Sequence, residues 1–162
     1  MTVCFDRRTE LAADIERCYQ CSLDVDLHTA SMATSGERAV AGIRHGQMGL
    51  GDTVTWNAHH LGRDWSMTSK ITEADPPHRF VDEQIDGPFA SFRHEHLFRT
   101  LHDTTTEMVD HVEFRAPLGP LGRIAELLVL RWYIPRLIDL RNATIADAVR
   151  NRSNPAEAEP RR

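Results

Sequence analysis

The sequence predicts an α+β fold in which a curved sheet of antiparallel strands packs around one long helix near the C-terminus. Between Glu37 and Phe114, apolar residues alternate with polar ones in a series of short segments, which is the period of half-buried strands. Turn-forming residues separate these segments. From Ile124 to Val149 the apolar residues recur every three or four positions, as they do on one face of a helix.

The first part of the chain stands apart from this regular series. Val3–Leu11 alternates in the manner of a strand, residues 14–19 change to a helix-favouring composition, and residues 24–32 suit a second short helix or its connection to the sheet. The regular series itself predicts six strands, over Arg38–Arg44, Asp52–His60, Trp65–Glu73, Arg79–Asp86, Ser91–Leu101 and Thr105–Phe114. Because turn residues such as Asp75–Pro77 separate consecutive segments, we expect neighbouring strands to be antiparallel.

The apolar stripe of the C-terminal helix requires a sheet to cover it. Pro135 falls inside this helix, and proline removes a backbone donor and clashes with the preceding turn. We therefore expect a kink at Pro135 or a break into two helical pieces. Residues 151–162 are polar and contain Pro155 and Pro160, so they are predicted to form a disordered tail.

Length and composition indicate one ordinary globular domain. The chain has 162 residues, of which 41% are hydrophobic and 27% are charged, and we expect the domain to span residues 1–150. The formal net charge is -5, and no predicted strand or helix carries the basic stripe that binding to phosphates requires. We therefore expect no nucleic-acid partner, and a monomer or homodimer.

The distribution of cysteine and of apolar residues favours the cytoplasm. The three cysteines lack the regular spacing of a disulfide framework, and the first residues include charged groups where a signal segment would be apolar. The longest apolar stretch, Ile124–Ile138, is interrupted by charged residues and by Pro135, so we expect no integral membrane segment.

Several segments resemble the START-like (SRPBCC) superfamily, in particular its polyketide cyclase/dehydrase-like and ligand-binding members. The similar segments are Gly51–Trp56, Met67–Thr72, Pro77–Gln84, Gly87–Phe89, His94–Phe98 and Pro117–Gly122. The order of strand, two short helices, antiparallel strands and one long helix is that of the helix-grip fold. The resemblance implies a cavity between sheet and C-terminal helix that encloses a small hydrophobic molecule, and it implies no particular reaction.

Residues that alternate along the strands fall on one predicted concave face, where bulky apolar groups mix with a few titratable ones. The predicted ligand-binding residues are Trp56, Ala58, Met67, Ser69, Ile71, Phe92, His96, Phe98, Met108, Val112 and Phe114. The candidate catalytic residues are His94, His60 and Asp110, since an imidazole paired with a carboxylate can accept and return a proton near neutral pH.

Three functions remain open from the sequence. The first is a binding protein for a small hydrophobic or aromatic molecule, in which the histidines only orient the ligand or set the polarity of the cavity. The second is a cyclase, dehydratase or isomerase that acts on a polyketide-like substrate by acid-base catalysis. The third is a subunit that binds a partner through the exposed part of the final helix.

Two patterns resemble metal or redox sites. His94 and His96 share a strand face and could chelate a metal, but His60 is the only obvious third ligand, so we expect no metal and no cofactor. Cys18 and Cys21 have the spacing of half a zinc or redox site, but no second pair exists and we expect two buried core thiols.

Overall fold

All the alternating segments belong to one antiparallel sheet. The computed structural model describes residues 2–60, 62–102, 104–116 and 130–151. Its strands are β1 (Val3–Leu11), β2 (Arg38–Gly42), β3 (Thr53–His60), β4 (Arg63–Asp75), β5 (Arg79–Asp86), β6 (Ser91–His102) and β7 (Thr105–Arg115). Its helices are α1 (Ile15–Ser22), α2 (Val25–Ser31), a short 3₁₀ helix (Ala33–Ser35) and α3 (Arg131–Asn151). The predicted strands are confirmed, with ends that differ by at most two residues.

Aspartate caps start the two N-terminal helices where the sequence changes from strand to helix. The carboxylate of Asp14 accepts a hydrogen bond from the backbone N–H of Arg17, and the carboxylate of Asp24 accepts from the N–H groups of Asp26 and Leu27. Each cap satisfies donors that a helix N-terminus leaves without partners. The caps hold α1 and α2 as two short elements between the first two strands.

The sheet follows the order β1-β7-β6-β5-β4-β3-β2, with every neighbouring pair antiparallel. This register places His94 opposite Asp82 on β5 and His96 opposite Asp110 on β7. The pairing of β4 with β5 shifts twice, between Thr68 and Ser69 and between Ile71 and Glu73. Such bulges bend a strand and increase its twist, which helps the sheet to curve.

Helix α3 is continuous across Pro135, so the predicted break at this residue is wrong. Pro135 lacks the N–H that would bond to the carbonyl oxygen of the preceding turn, and the helix continues past it to Asn151. The helix packs against β1, α1 and α2. The segment Pro117–Gly122, the first apolar positions of the predicted helical stripe and the predicted tail beyond Asn151 lie outside the described residues.

Two clusters of buried residues hold α3 and the N-terminal helices on the sheet. The larger cluster joins α1 and the end of α3 to the sheet, and it includes Leu11, Cys18, Cys21, Phe98, Met108, Ile145 and Val149. The smaller cluster joins the start of α3 to β7 through Val112, Phe114, Ile134 and Ile138. Burial of both thiols in the larger cluster confirms the core placement predicted for them. None of the helices in the described ranges is both long and apolar enough to cross a bilayer.

Candidate functional site

A cavity of about 590 Å³ lies between the sheet and the helices. Its wall is mostly apolar and aromatic, and it draws on β3, β4, β5, β6, α2 and α3. The apolar lining residues include Val25, Met32, Val54, Trp56, Met67, Ile71, Phe80, Phe92, Ile134, Leu137 and Ile138. Both core clusters contribute to this list, so the cavity is bounded by them.

A buried cluster of two imidazoles and two carboxylates forms one polar part of the cavity. Nε2 of His94 lies 2.8 Å from Oδ1 of Asp110, and Nε2 of His96 lies 3.0 Å from Oδ2 of Asp82. Neighbouring rings are close: the centroids of His94 and His96 are 3.8 Å apart, and Phe80 stacks on His96 at 4.0 Å. His94, His96 and Asp82 line the cavity, whereas the carboxylate of Asp110 is fully buried behind the two rings.

Helix α3 supplies further groups that position Asp110. The side-chain amide of Asn142 donates to Oδ2 of Asp110 at 2.6 Å, and Nη1 of Arg141 lies 3.7 Å from Oδ1. Nη2 of Arg141 donates to the carbonyl oxygen of Ser22 at 2.8 Å, which ties the guanidinium to α1. The carboxylate is therefore held by two side chains of strand β6 and two of helix α3, and its geometry depends on how α3 docks.

The protonation states in this cluster follow from burial and neighbouring charge. Burial disfavours the charged imidazole and, with His96 nearby, lowers the pKa of His94 to about 4, although the hydrogen bond to Asp110 opposes this shift. Burial alone raises the pKa of Asp110, but the hydrogen bond from His94 and the proximity of His96 outweigh it and hold the pKa well below the usual range. At neutral pH, His94 is therefore neutral and donates its one N–H to an ionised Asp110.

A second polar cluster lies in the wall where α2, β3 and the start of α3 meet. The carboxylate of Glu37 lies 2.5 Å from Nε2 of His28 and 3.5 Å from Nε2 of His60, and Nδ1 of His60 lies 2.7 Å from the hydroxyl of Tyr133. The ring of His28 packs on Trp56 with centroids 4.2 Å apart. Burial raises the pKa of Glu37, but hydrogen bonds from His28 and His60 outweigh this effect and lower the pKa to about 2.

The two polar clusters are well separated along the cavity. Tyr133 belongs to the second cluster and Arg141 to the first, and their positions in α3 are about 12 Å apart along the axis of a regular helix. Ile134, Leu137 and Ile138 lie between them on the helix and face the cavity. The cavity therefore offers an apolar middle with polar groups at two distant points.

Comparison with solved structures places this architecture among known folds. Neither a protein-family model nor a curated protein sequence matches the chain. The structure is similar to the Zhui aromatase/cyclase from Streptomyces sp. R1128, with a TM-score of 0.78 and 14% identity over 98% of this chain and 100% of that one. It is also similar to norcoclaurine synthase from Thalictrum flavum, with a TM-score of 0.68 and 14% identity over 92% of this chain and 87% of that one.

A START superfamily protein from Mycobacterium smegmatis aligns over 91% of this chain and 97% of its own, with a TM-score of 0.68 and 11% identity. The chain has a START-like fold. Identities this low show a shared fold alone, so the residues that act in those proteins are not transferred to this chain.

Most of the residues predicted for the site line the cavity. These are Trp56, Ala58, His60, Met67, Ser69, Ile71, Phe92, His94 and His96. Asp110 does not line it, but it contacts both His94 and His96 from behind the wall. The prediction that His94 pairs with Asp110 agrees with this geometry.

Four predicted ligand-binding residues lie in the core and not in the cavity wall. Phe98 packs against Tyr19 of α1 with ring centroids 5.7 Å apart, and Met108 contacts the hydroxyl of Ser22 at 3.5 Å. Val112 and Phe114 are fully buried in the smaller core cluster. Alternation identifies the inward face of a strand, but the helices that cover parts of that face decide which residues reach the cavity.

His60, a candidate catalytic residue, does not lie beside His94 and Asp110. Its ring contacts Tyr133 and Glu37, so it belongs to the second polar cluster and not to the surroundings of Asp110. It also does not complete a metal site with His94 and His96. Within the part of the chain that the structure describes, the third side chain near these two histidines is Asp82.

Several cavity residues were missed from the sequence. Asp82 lies directly opposite His94 in the register, and pairing β5 with β6 would have found it. Arg141 lines the cavity and Asn142 contacts Asp110 behind its wall, and the apolar pattern of the helix does not mark either position. Glu37 and His28 lie in the poorly patterned connection before β2, where no periodic signal places a side chain.

Proposed function

We propose that this START-like domain binds one small, elongated molecule that is mostly apolar or aromatic and carries polar groups near both ends. The observation that supports this function best is the apolar cavity of about 590 Å³ with a buried polar cluster at each of two separated points. A volume of this size is typical of sites that enclose one small molecule. Burial of the apolar part supplies the affinity, and the polar clusters fix the orientation.

The cluster around Arg141 suits an oxygen atom on the ligand. Arg141 is 6% exposed, lines the cavity, and its Nη1 has no hydrogen-bond partner among the described groups. A buried donor without a partner costs roughly 1–3 kcal/mol, which a carbonyl, phenolate or carboxylate oxygen of a ligand would recover. At the other cluster the hydroxyl of Tyr133, which pairs with Nδ1 of His60, can form one further hydrogen bond with a second polar group of the ligand.

Binding can be tested with a fluorescent naphthalene sulfonate, whose emission rises in apolar surroundings. Ala58 lines the cavity, and Ala58→Trp places an indole in the space that the probe needs. We expect wild type to bind one probe per chain, and Ala58→Trp to weaken binding at least tenfold. Ala143→Trp is the matched control, because Ala143 is exposed on α3 and the same substitution there leaves the cavity open.

Equal probe affinity in wild type and Ala58→Trp would contradict the proposal, and so would weak binding of several probes to the wild type. Circular dichroism of the three proteins shows whether each variant is folded. A folded Ala58→Trp protein that binds the probe as wild type does would leave the cavity without a binding role.

A second candidate is an enzyme of the cyclase or dehydratase type that acts on a polyketide-like substrate. The observation that favours it is the buried pair of His94 and Asp110 at the cavity wall, 2.8 Å apart. A neutral imidazole held by a carboxylate can accept a proton from carbon next to a carbonyl group, and the carboxylate stabilises the resulting imidazolium. Arg141 would stabilise the negative oxygen formed in the same step. The structural likeness to an aromatase/cyclase fits this candidate.

The two candidates predict different results for His94→Gln with a poly-β-keto thioester as the test substrate. An enzyme loses most of its turnover and keeps substrate affinity within a few fold. A binding protein has no turnover in either form. His59→Gln is the control, because His59 is exposed and pairs with Asp64 at 2.8 Å on the outside of the sheet.

We further propose that the protein acts in a reducing compartment such as the cytoplasm, as a monomer or homodimer. The exposed thiol of Cys4 fits such a compartment. Light scattering coupled to gel filtration measures the oligomeric state directly, and a mass above that of a dimer would contradict this part of the proposal.

A further inference from the structure

We infer that Asp82, His94 and His96 form a binding site for a divalent transition-metal ion in the wall of the cavity. One ligand atom from each residue lies within 4.8 Å of the other two. All three side chains line the cavity, and the site goes beyond the binding of an apolar molecule proposed above.

The three ligand atoms lie close together, each within 4.8 Å of the other two. Oδ2 of Asp82 lies 3.0 Å from Nε2 of His96 and 3.8 Å from Nδ1 of His94. Ligands that each lie about 2.0–2.2 Å from one ion are about 3.0–3.5 Å apart in tetrahedral or octahedral sites. One of the separations already lies in this range, and side-chain rotation has to shorten the others for the three atoms to contact one ion.

Asp110 provides the outer partner that metal-binding histidines require. Nε2 of His94 donates to Oδ1 of Asp110, which leaves Nδ1 of the same ring facing Asp82. Nδ1 of His96 lies 3.0 Å from the same Asp110 oxygen, which leaves Nε2 of that ring facing Asp82. One carboxylate thus orients both rings so that their other nitrogens converge, as carboxylates do behind metal-bound imidazoles.

An ion also accounts for a buried atom that lacks a partner. Nδ1 of His96 is buried and makes no hydrogen bond with acceptable geometry, although it lies close to Asp110. If the single proton of a neutral ring is on Nε2, then Nδ1 presents a lone pair to a carboxylate, which is repulsive. With an ion on Nε2, the proton resides on Nδ1, and a rotation of the ring turns this N–H toward the Asp110 oxygen that lies 3.0 Å away.

The charges and the ligand types identify the class of ion. The cluster contains two carboxylates and the guanidinium of Arg141, so a cation reduces an excess of negative charge. Two imidazoles and one carboxylate suit Zn²⁺, Fe²⁺ or Co²⁺, whereas Ca²⁺ and Mg²⁺ prefer sites made of oxygen. Three protein ligands leave at least one coordination position open toward the cavity, where an oxygen atom of a bound molecule can enter.

The competing explanation is a proton in place of the ion. A doubly protonated His96 would donate from Nε2 to Asp82 and from Nδ1 to Asp110, and the cluster would then have no need of a metal. The two explanations differ in whether the chelator-treated protein takes up an ion with defined stoichiometry, so metal binding itself is the measurement that separates them.

The test uses chelator-treated protein titrated with Co²⁺ and with Zn²⁺, followed by visible absorption for cobalt and by calorimetry for zinc. We expect one equivalent to bind, with a cobalt spectrum that Zn²⁺ abolishes. His96→Gln and Asp82→Asn should each weaken binding by more than about 100-fold, because each removes one of three ligand atoms. Asp110→Asn should weaken it by about 10–100-fold, since it removes the outer partner of both rings.

His45→Gln is the matched control, because His45 lies 2.8 Å from Asp26 and both side chains are exposed. This variant should keep the affinity of the wild type. Absence of a one-equivalent binding step, or equal affinities in wild type and Asp82→Asn, would overturn the inference. Asp82→Asn preserves the size of the side chain, so it decides the question even if His96→Gln does not fold. Probe binding to the same proteins reports separately on the cavity.

Discussion

Replacing Asp110 by alanine tests how strongly the buried polar cluster holds α3 on the sheet. The carboxylate is fully buried and accepts hydrogen bonds from His94 at 2.8 Å and Asn142 at 2.6 Å, with Arg141 at 3.7 Å. Its removal leaves the guanidinium of Arg141 without its counter-ion, and the N–H groups of His94 and Asn142 without their acceptor. Breaking a buried charged network in this way costs about 3–5 kcal/mol.

This loss should be visible in thermal unfolding. For a domain of 162 residues, a loss of 3–5 kcal/mol lowers the melting temperature by about 9–15 °C. Differential scanning calorimetry at neutral pH measures both the melting temperature and the enthalpy. The matched control is Asp139→Ala on α3, where the carboxylate pairs with Arg7 at 2.9 Å but is 57% exposed. Such surface pairs contribute about 0–1 kcal/mol, so Asp139→Ala should change the melting temperature by less than about 3 °C.

A loss of stability in Asp110→Ala no larger than that in Asp139→Ala would refute this reasoning. It would mean that Asp110 is not an organising centre of the cluster, or that water replaces the carboxylate without cost. Urea unfolding of the same proteins checks the calorimetric ranking by an independent route.

Three further predictions concern other parts of the molecule. In the folded protein the pKa of Glu37 is about 2, against an ordinary value of 4.5, so its ionised carboxylate stabilises the fold by about 3 kcal/mol above pH 4.5, and this contribution is lost as the pH falls toward 2. The free energies of unfolding of wild type and Glu37→Gln, measured in urea, should therefore converge over that pH range. A difference that stays constant with pH would contradict this prediction. Tyr133→Phe removes the 2.7 Å hydrogen bond to His60 and should cost about 0.5–1.5 kcal/mol in the same assay; no loss would show that the bond contributes nothing. Gly42→Ala should lower the melting temperature clearly, because φ is +71° there and a Cβ would lie 2.1 Å from the carbonyl oxygen of Thr53; an unchanged melting temperature would contradict that geometry.

The fold was predictable because local patterns and global topology agree. Alternation with a period of two, interrupted by turns such as Asp75–Pro77, predicts strands whose observed ends differ by at most two residues. The break predicted at Pro135 does not occur in residues 131–151, because the proline removes one backbone donor and the helix continues past it.

The site was predictable in part, and the limits are physical. Alternation places His94 and His96 on the inward face, and in the structure both residues line the cavity. The alternation of apolar and polar residues cannot show that Phe98 and Met108 lie under α1, because the parts of the sheet that the helices cover depend on tertiary packing. Asp82 contacts His96 through pairing between strands, and Arg141 approaches Asp110 from α3, so neither residue had a signal in a period-two pattern.

Native mass spectrometry of the protein isolated from its own host tests the existence of a natural guest most directly. We expect the wild-type chain to carry one additional non-peptide mass that organic solvent releases, and the Ala58→Trp chain to carry none. A wild-type chain that is isolated empty, and that takes up no compound from an extract of the same cells, would contradict the account.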